Sequence, residues 1–322
     1  MPEPVTAGVA TVAAGRLIGT MVSGLSKRLS SSIANLTSGA ADQLAVALGK
    51  GFSEYLDTSY NKCRVFKSIL NPSEPLRVLD HYVHVTLTCG NKKLPDDELI
   101  KVLPTLNCVI VTGLAGCGKS MFMRYLTLRN FEDSRGTIPL FVELRRLNNL
   151  TNIQSGTANK TLLTFIRNEC TSRMSVISEN QFDLGLKGGA FLLILDGFDE
   201  LNHDIREALQ QQILSIRKDF PATNLIISSR PDDRFASWSE FHVYRVDQLS
   251  KEQAVQLVES LPYGADVKKR FVREVQDRLY QSHTSFLSSP LLATIMLLTF
   301  EGFAECLSGI KPSHLNRLRQ GA

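Results

Sequence analysis

Residues 113–120 combine glycines, a lysine and a hydroxyl side chain at the spacing GxxxxGK[ST], which suits the binding of phosphate groups. Glycine lets backbone N–H groups turn inward around an anion, and a helix that follows adds the positive end of its dipole. We expect Lys119 to reach the terminal phosphates and the Ser120 hydroxyl to bind Mg²⁺. The apolar run 109–111 before the motif and the helical stretch 121–128 after it supply the strand and helix that this loop requires. The candidate phosphate-binding residues are Gly113, Leu114, Ala115, Gly116, Cys117, Gly118, Lys119, Ser120 and Met121.

Three acidic residues follow the apolar run 191–195, and they form a second candidate site. Open α/β sheets bind ligands beyond the carboxyl ends of their strands, where these acids would lie. We expect Asp196 to hold Mg²⁺ together with Ser120, and Asp199 or Glu200 to orient and deprotonate an attacking water. The alternative is that Asp199 and Glu200 cap the next helix, since acids favour a helix N-terminus.

Arg230 follows a third apolar run, residues 224–228. A lone arginine at a strand end is usually a surface charge. Its place after the two other motifs favours a catalytic role instead, in which it senses or stabilises a γ-phosphate.

Short apolar runs and longer helical stretches alternate along the chain, and they form the elements that must position these residues. This alternation predicts an α/β fold with a parallel sheet. The predicted strands are 108–112, 138–144, 190–196, 224–228 and 241–246. Several are apolar without alternation, as expected of strands covered by helices on both faces. A helix over 204–218 would pack on this sheet through an apolar stripe.

Beyond residue 249 the sequence predicts helices only. Ser250 and Gln253 form a capping box, a second helix is expected over 267–280, and a third begins at Pro290 behind Ser289. The domain prediction is a helical N-terminal region over 1–88, a polar linker over 89–99, a nucleotide-binding domain over 100–249 and a helical lid over 250–322.

Composition excludes several classes of protein. Six cysteines without a CxxC pair argue against a disulfide framework and a zinc cluster, and favour the cytoplasm. A net charge of +4 over 322 residues gives no signature of sequence-specific nucleic-acid binding. The apolar run 7–25 is interrupted by Arg16, so we expect a buried helix there. The alternative is a membrane-acting helix, because Gly15, Gly19 and Ser23 form a small-residue face.

The motifs together resemble those of NACHT-domain proteins of the STAND class of ATPases, which include the NLR-like proteins. The matching segments are 113–120, 138–145 (Ile-Pro-Leu-Phe-Val-Glu-Leu-Arg), 195–200 (Leu-Asp-Gly-Phe-Asp-Glu) and 228–231 (Ser-Ser-Arg-Pro). This resemblance implies ATP or ADP with Mg²⁺ as ligands, and a sheet in which the Arg230 strand lies between those of the P-loop and Asp196. It also implies a small helical lid whose proline, here Pro290, touches the adenine. Residues 50–88 are similar to helical segments that precede many bacterial NACHT domains, and family members continue after the lid into a winged helix and a sensor, which we expect to be missing here.

The leading functional hypothesis, implied by the resemblance, is a signalling switch. ADP would hold a closed monomer, exchange for ATP would allow homo-oligomerisation, and slow hydrolysis would reset the protein. In a bacterium the setting would be antiviral defence, a form of innate immunity, with a phage component as a candidate trigger. The alternatives are an AAA-like ATPase that continuously remodels protein or nucleic acid, and a membrane-acting effector working through the N-terminal helix.

Overall fold

The structure, a computed structural model, describes residues 21–34, 36–133, 136–149, 161–171 and 177–309. The chain forms two compact units. The first comprises the residues up to Val65 together with Thr86–Leu114 and Lys119–Val246. The second comprises Phe66–Val85, Ala115–Gly118 and the residues from Asp247 onwards.

A seven-stranded sheet forms the centre of the first unit, as far as the chain is described. Its strand order is β4-β3-β9-β5-β8-β7-β6, and β9, β5, β8, β7 and β6 run parallel. The strands β5, β7 and β8 are almost wholly buried, which explains their unbroken apolar sequences. The strand bounds are β3 Thr86–Cys89, β4 Lys92–Pro95, β5 Cys108–Thr112, β6 Ile138–Glu143, β7 Phe191–Asp196, β8 Asn224–Ser229 and β9 His242–Val246; a separate two-stranded sheet joins β1 Val65–Phe66 and β2 Leu76–Arg77.

The prediction of a parallel α/β sheet is confirmed. The strand that leads to Arg230, β8, lies between β5 and β7 as the resemblance implied. This order brings the ends of the three strands that carry the motifs next to one another.

The predicted linker over 89–99 is wrong, because these residues end β3, form β4 and begin the helix α5, Asp96–Leu106. Cys89 ends β3, and β4 pairs with β3 as an antiparallel hairpin before α5 begins at Asp96. Gly90, with φ 58°, permits the tight turn between the two strands. Polar residues suggested a linker because β4 is an edge strand that exposes Lys92 and Lys93.

Helices surround the sheet of the first unit. The helices α1 to α3 share one hydrophobic core with it: Leu25, Leu48 and Phe52 are fully buried, and the Phe52 ring lies 5.3 Å from that of Phe191 in β7. The described N-terminal helices, residues 21–63, are therefore packed on the nucleotide-binding fold and do not form a domain of their own. The helix bounds are α1 21–32, α2 Ser38–Gly51, α3 Ser53–Cys63, α5 Asp96–Leu106, α6 Lys119–Glu132, α7 Thr161–Cys170, α8 Glu179–Lys187 and α9 His203–Asp219.

The second unit is helical and has its own core, which includes Val258, Phe271 and Leu297. The predicted capping box of Ser250 and Gln253 is present. The helix expected over 267–280 is interrupted by a π-helical turn at Val275–Leu279. The helix bounds are α4 Val78–His81, α10 Lys251–Ser260, α11 Ala265–Glu274, α12 Tyr280–Ser282, α13 Thr284–Leu287 and α14 Pro290–Gly309.

The apolar run 7–25 falls mostly outside the described residues, and so do Gly15 and Gly19. Its last part is described, and there Met21 and Leu25 are buried in the core of the first unit. In the described part of the chain, no helix has both the length and the hydropathy needed to cross a bilayer.

Candidate functional site

The backbone between β5 and α6 has the conformation of a phosphate-binding loop. Gly116 has φ 76° and Gly118 has φ 97°, values that residues with a side chain rarely adopt. The α6 helix begins at Lys119, so its first N–H groups and the positive end of its dipole face the loop. The Lys119 ammonium donates hydrogen bonds to the carbonyl oxygens of Gly113 at 2.7 Å and Leu114 at 3.0 Å, which holds the lysine across the mouth of the loop.

Asp196 ends β7 beside this loop. The Ser120 hydroxyl, in the first turn of α6, donates to Asp196 Oδ1 at 3.2 Å. Burial raises the pKa of the Asp196 carboxyl, and the hydrogen bonds from Ser228 and Ser120 oppose this shift. The two residues predicted to share a metal ion are therefore in direct contact.

Ser228 is a member of the site whose role sequence reasoning missed. Its hydroxyl donates to Asp196 Oδ1 at 2.5 Å and accepts a hydrogen bond from the Gly197 N–H at 2.8 Å. The side chain is completely buried at the carboxyl end of β8. The sequence offered two signals for it, a serine near the end of an otherwise apolar strand and a place in the segment 228–231 that resembles the NACHT family.

Ser120 and Asp196 have the chemistry of a magnesium site, since Mg²⁺ prefers hydroxyl and carboxylate oxygens together with those of a phosphate. When bound, the ion would neutralise charge on the phosphates. The second Asp196 carboxylate oxygen makes no hydrogen bond with the described residues, so it can serve as a ligand.

Asp199 and Arg230, both predicted as catalytic, contact each other. The Arg230 side chain donates from Nε to Asp199 Oδ2 at 3.0 Å, and its backbone N–H donates to Asp199 Oδ1 at 3.0 Å. Both carboxylate oxygens of Asp199 are thereby engaged. The ion pair links the end of β8 to the turn that follows β7.

The alternative that these acids cap the next helix is wrong. The N-cap of α9 is Asn202, and it makes no side-chain capping bond. Gly197, with φ 82°, instead turns the chain into the 3₁₀ turn Phe198–Glu200. The Glu200 side chain is exposed, and no hydrogen-bond donor of the described residues reaches its carboxylate. Partial desolvation raises the pKa of Glu200, as suits a general base.

Phe198 anchors this turn in an aromatic cluster. It is completely buried, and its ring centroid lies 5.7 Å from that of Trp238 and 5.9 Å from that of Phe235. Asp199 and Glu200 therefore extend from a firmly packed residue.

Pro290 begins α14 in the second unit, which also contains the middle of the phosphate-binding loop. The Gly116 carbonyl oxygen accepts hydrogen bonds from the Leu291 N–H at 3.3 Å and from Ser289 Oγ at 3.4 Å. A Cβ at Gly116 would lie only 2.8 Å from the Leu291 Cβ, and one at Gly118 would lie 3.9 Å from Pro290. Pro290 thus lies near Gly118 within the second unit, and its contact with adenine stays a prediction.

A mostly parallel sheet with a phosphate-binding loop after one strand and a partly buried aspartate at the end of another defines a P-loop NTPase. Residues 107–262 match the model of the NACHT domain family. This segment therefore contains a NACHT-type P-loop NTPase domain, a nucleotide-binding module of the STAND type. Comparison with curated proteins found no match.

Proposed function

We propose that the protein is an ATP-operated switch, in which exchange of ADP for ATP controls assembly into a homo-oligomer and slow hydrolysis ends the signal. Ser120 and Asp196 would hold Mg²⁺, Lys119 would bind the terminal phosphates, and Glu200 would deprotonate the attacking water. The output would be defence signalling of the innate-immune type, in the cytoplasm, and a phage component would be a suitable trigger.

The observation that carries the proposal is the ion pair between Arg230 and Asp199. A ligand shifts a two-state equilibrium only through contacts that differ between the states. The Arg230 side chain is 63% exposed, and pairs this exposed contribute only about 0–1 kcal/mol. A γ-phosphate, with its higher charge, can therefore compete with Asp199 for the guanidinium group, whereas ADP offers no such group.

The first test concerns the site itself. Replacing Lys119 with Ala should weaken binding of both ADP and ATP at least about tenfold, because a charge-assisted phosphate contact contributes about 1.5–3 kcal/mol. Fluorescence titration with a labelled nucleotide measures this loss. Lys218→Ala, which removes an exposed lysine from α9, is the matched control and should bind normally. Unchanged affinity in Lys119→Ala would refute the assignment of the site.

The second test concerns the switch. Arg230→Ala should retain ADP affinity and lose the larger oligomer that ATP with Mg²⁺ induces, as measured by light scattering after size-exclusion chromatography. Arg129→Ala is the control, since Arg129 is also exposed and paired with an acid, Glu132, at the far end of α6. If the purified chain instead hydrolyses ATP rapidly without any trigger, the remodelling ATPase becomes the better description.

A further inference from the structure

The backbone that carries Glu200 is held by a side chain from a distant part of the sequence. Asn148 Nδ2 donates to the Glu200 carbonyl oxygen at 2.9 Å, and Asn148 Oδ1 accepts from the Asn202 N–H at 2.9 Å. One amide group thus bridges residues 200 and 202. Because it uses both its donor and its acceptor, it fixes the backbone on the two sides of Leu201.

The position of Asn148 follows from the sheet. The 3₁₀ helix Leu144–Asn149 continues directly from β6, and the buried side chains of Leu144 and Leu147 anchor it in the core. Strand β6 is the neighbour of β7, with Glu143 opposite Asp196 in the register. The element that leaves β6 is therefore delivered beside the turn that leaves β7.

A second side chain binds the same turn, but it does not contact the carbonyl oxygen of Glu200, which Asn148 binds. Arg206 Nη2 in α9 donates to the carbonyl oxygens of Asp199 at 3.0 Å and Leu201 at 2.6 Å. Three successive carbonyl oxygens, those of residues 199 to 201, consequently accept side-chain hydrogen bonds. The carboxylate of Glu200 receives none from the described residues, so its direction depends on how its backbone is held.

We propose that Asn148 is a positioning residue for hydrolysis, which acts by holding the backbone of Glu200 so that its carboxylate meets the attacking water. The inference rests on the proposed role of Glu200 as general base. Misplacing a reacting group by about 1 Å can lower the rate about 100-fold. The two hydrogen bonds by which Asn148 holds the backbone at Glu200 should therefore affect the rate of hydrolysis measurably. Neither Asp nor Ala at position 148 can make both hydrogen bonds, since Asp lacks the donor for the carbonyl oxygen and Ala lacks both groups.

The experiment measures kcat for ATP hydrolysis and nucleotide affinity separately in the full chain. Asn148→Ala and Asn148→Asp should lower kcat by about 10- to 100-fold while nucleotide affinity changes by no more than about twofold. Asn149→Ala, which truncates the exposed neighbouring residue of the same type, is the matched control and should leave kcat unchanged. Retained nucleotide affinity also shows that the variants are folded, and Asn148→Asp keeps the test available if Asn148→Ala is unstable.

A double-mutant cycle with Glu200→Gln separates positioning from a general structural role. If Asn148 acts through Glu200, adding Asn148→Ala to Glu200→Gln should change the residual rate by no more than about twofold. A normal kcat in the Asn148 variants, or an equal loss in the presence and absence of Glu200, would overturn the inference while the role of Glu200 stands. A normal rate in Glu200→Gln alone would instead overturn the proposed base.

Discussion

Three buried cysteine thiols illustrate how burial controls reactivity at the scale of single residues. Desolvation raises the pKa of Cys63 to about 11, and it raises the pKa values of Cys108 and Cys170 to about 12 each. The thiolate is the reactive form. At pH 8 a thiol with a pKa of about 11 is ionised in about one molecule in a thousand.

We therefore expect these three thiols to resist alkylation by iodoacetamide at pH 8 in the folded protein and to react in urea, as mapped by mass spectrometry. The same shifts predict a pH dependence of stability. Burial favours the protonated form of these thiols in the folded state. Their contribution to the free energy of unfolding is therefore complete below the ordinary thiol pKa of about 8.5, and it is lost as the pH rises through the raised pKa values. Denaturant unfolding should show the free energy of unfolding falling above about pH 9. Rapid alkylation of Cys108 in the folded state would contradict this account.

Ser228 and Ser229 are adjacent buried serines, but only the Ser228 hydroxyl makes hydrogen bonds. The Ser228 hydroxyl joins Asp196 to the Gly197 N–H, whereas the buried Ser229 hydroxyl has no hydrogen-bond partner in the described structure. Removing one member of a buried hydrogen-bonded set costs about 1–3 kcal/mol. We expect Ser228→Ala to lower the free energy of unfolding by this amount in urea titrations.

Ser229→Ala is the matched control for that measurement, because it removes the same atoms from the next position of β8 without breaking a hydrogen bond. Its free energy of unfolding should stay close to that of the unchanged protein. Equal losses in the two variants would mean that the hydroxyl contacts of Ser228 contribute nothing to stability.

At the scale of elements, the connection from α8 to β7 depends on a glycine. Gly189 has φ 65°, and a Cβ there would lie 2.5 Å from the Ala222 carbonyl oxygen. This turn sets the start of the strand that ends in Asp196. Both the backbone conformation and the close approach therefore oppose any side chain.

Gly189→Ala should accordingly lower the free energy of unfolding by about 1–3 kcal/mol, measured by denaturant titration. Gly39 provides the contrast, since it lies in α2 and a Cβ there would meet no atom within 4 Å. Gly39→Ala should leave stability unchanged or raise it by up to about 1 kcal/mol, because alanine is the better helix former. If Gly39→Ala destabilised the protein as much as Gly189→Ala, steric conflict at Gly189 would not be the cause.

At the scale of the whole molecule, nucleotide binding should stabilise the folded chain against heat. A ligand that binds only the folded state adds about 2.7 kcal/mol at a concentration 100 times its Kd. Both ADP and ATP should therefore raise Tm in differential scanning calorimetry, and at the same nucleotide concentration the stabilisation of Lys119→Ala should fall to about 1.4 kcal/mol or less, since its Kd is at least about tenfold higher. An equal increase in that variant would mean that the stabilising nucleotide binds elsewhere.

The sequence by itself determined the local parts of this protein. Residues 113–120 form the phosphate-binding loop, Ser250 caps its helix, and the buried strands have the predicted positions, because such features depend on residues only a few places apart. The edge hairpin of β3 and β4 escaped prediction, since an exposed edge strand has the polar composition of a linker.

Only the tertiary structure decided which side chains of the site contact one another. Arg230 pairs with Asp199 across 31 residues, Ser228 reaches Asp196 across 32, and Asn148 reaches Glu200 across 52. No local pattern encodes these contacts. They exist because the order of strands brings the ends of β6, β7 and β8 side by side, and that order is fixed by packing of the whole sheet.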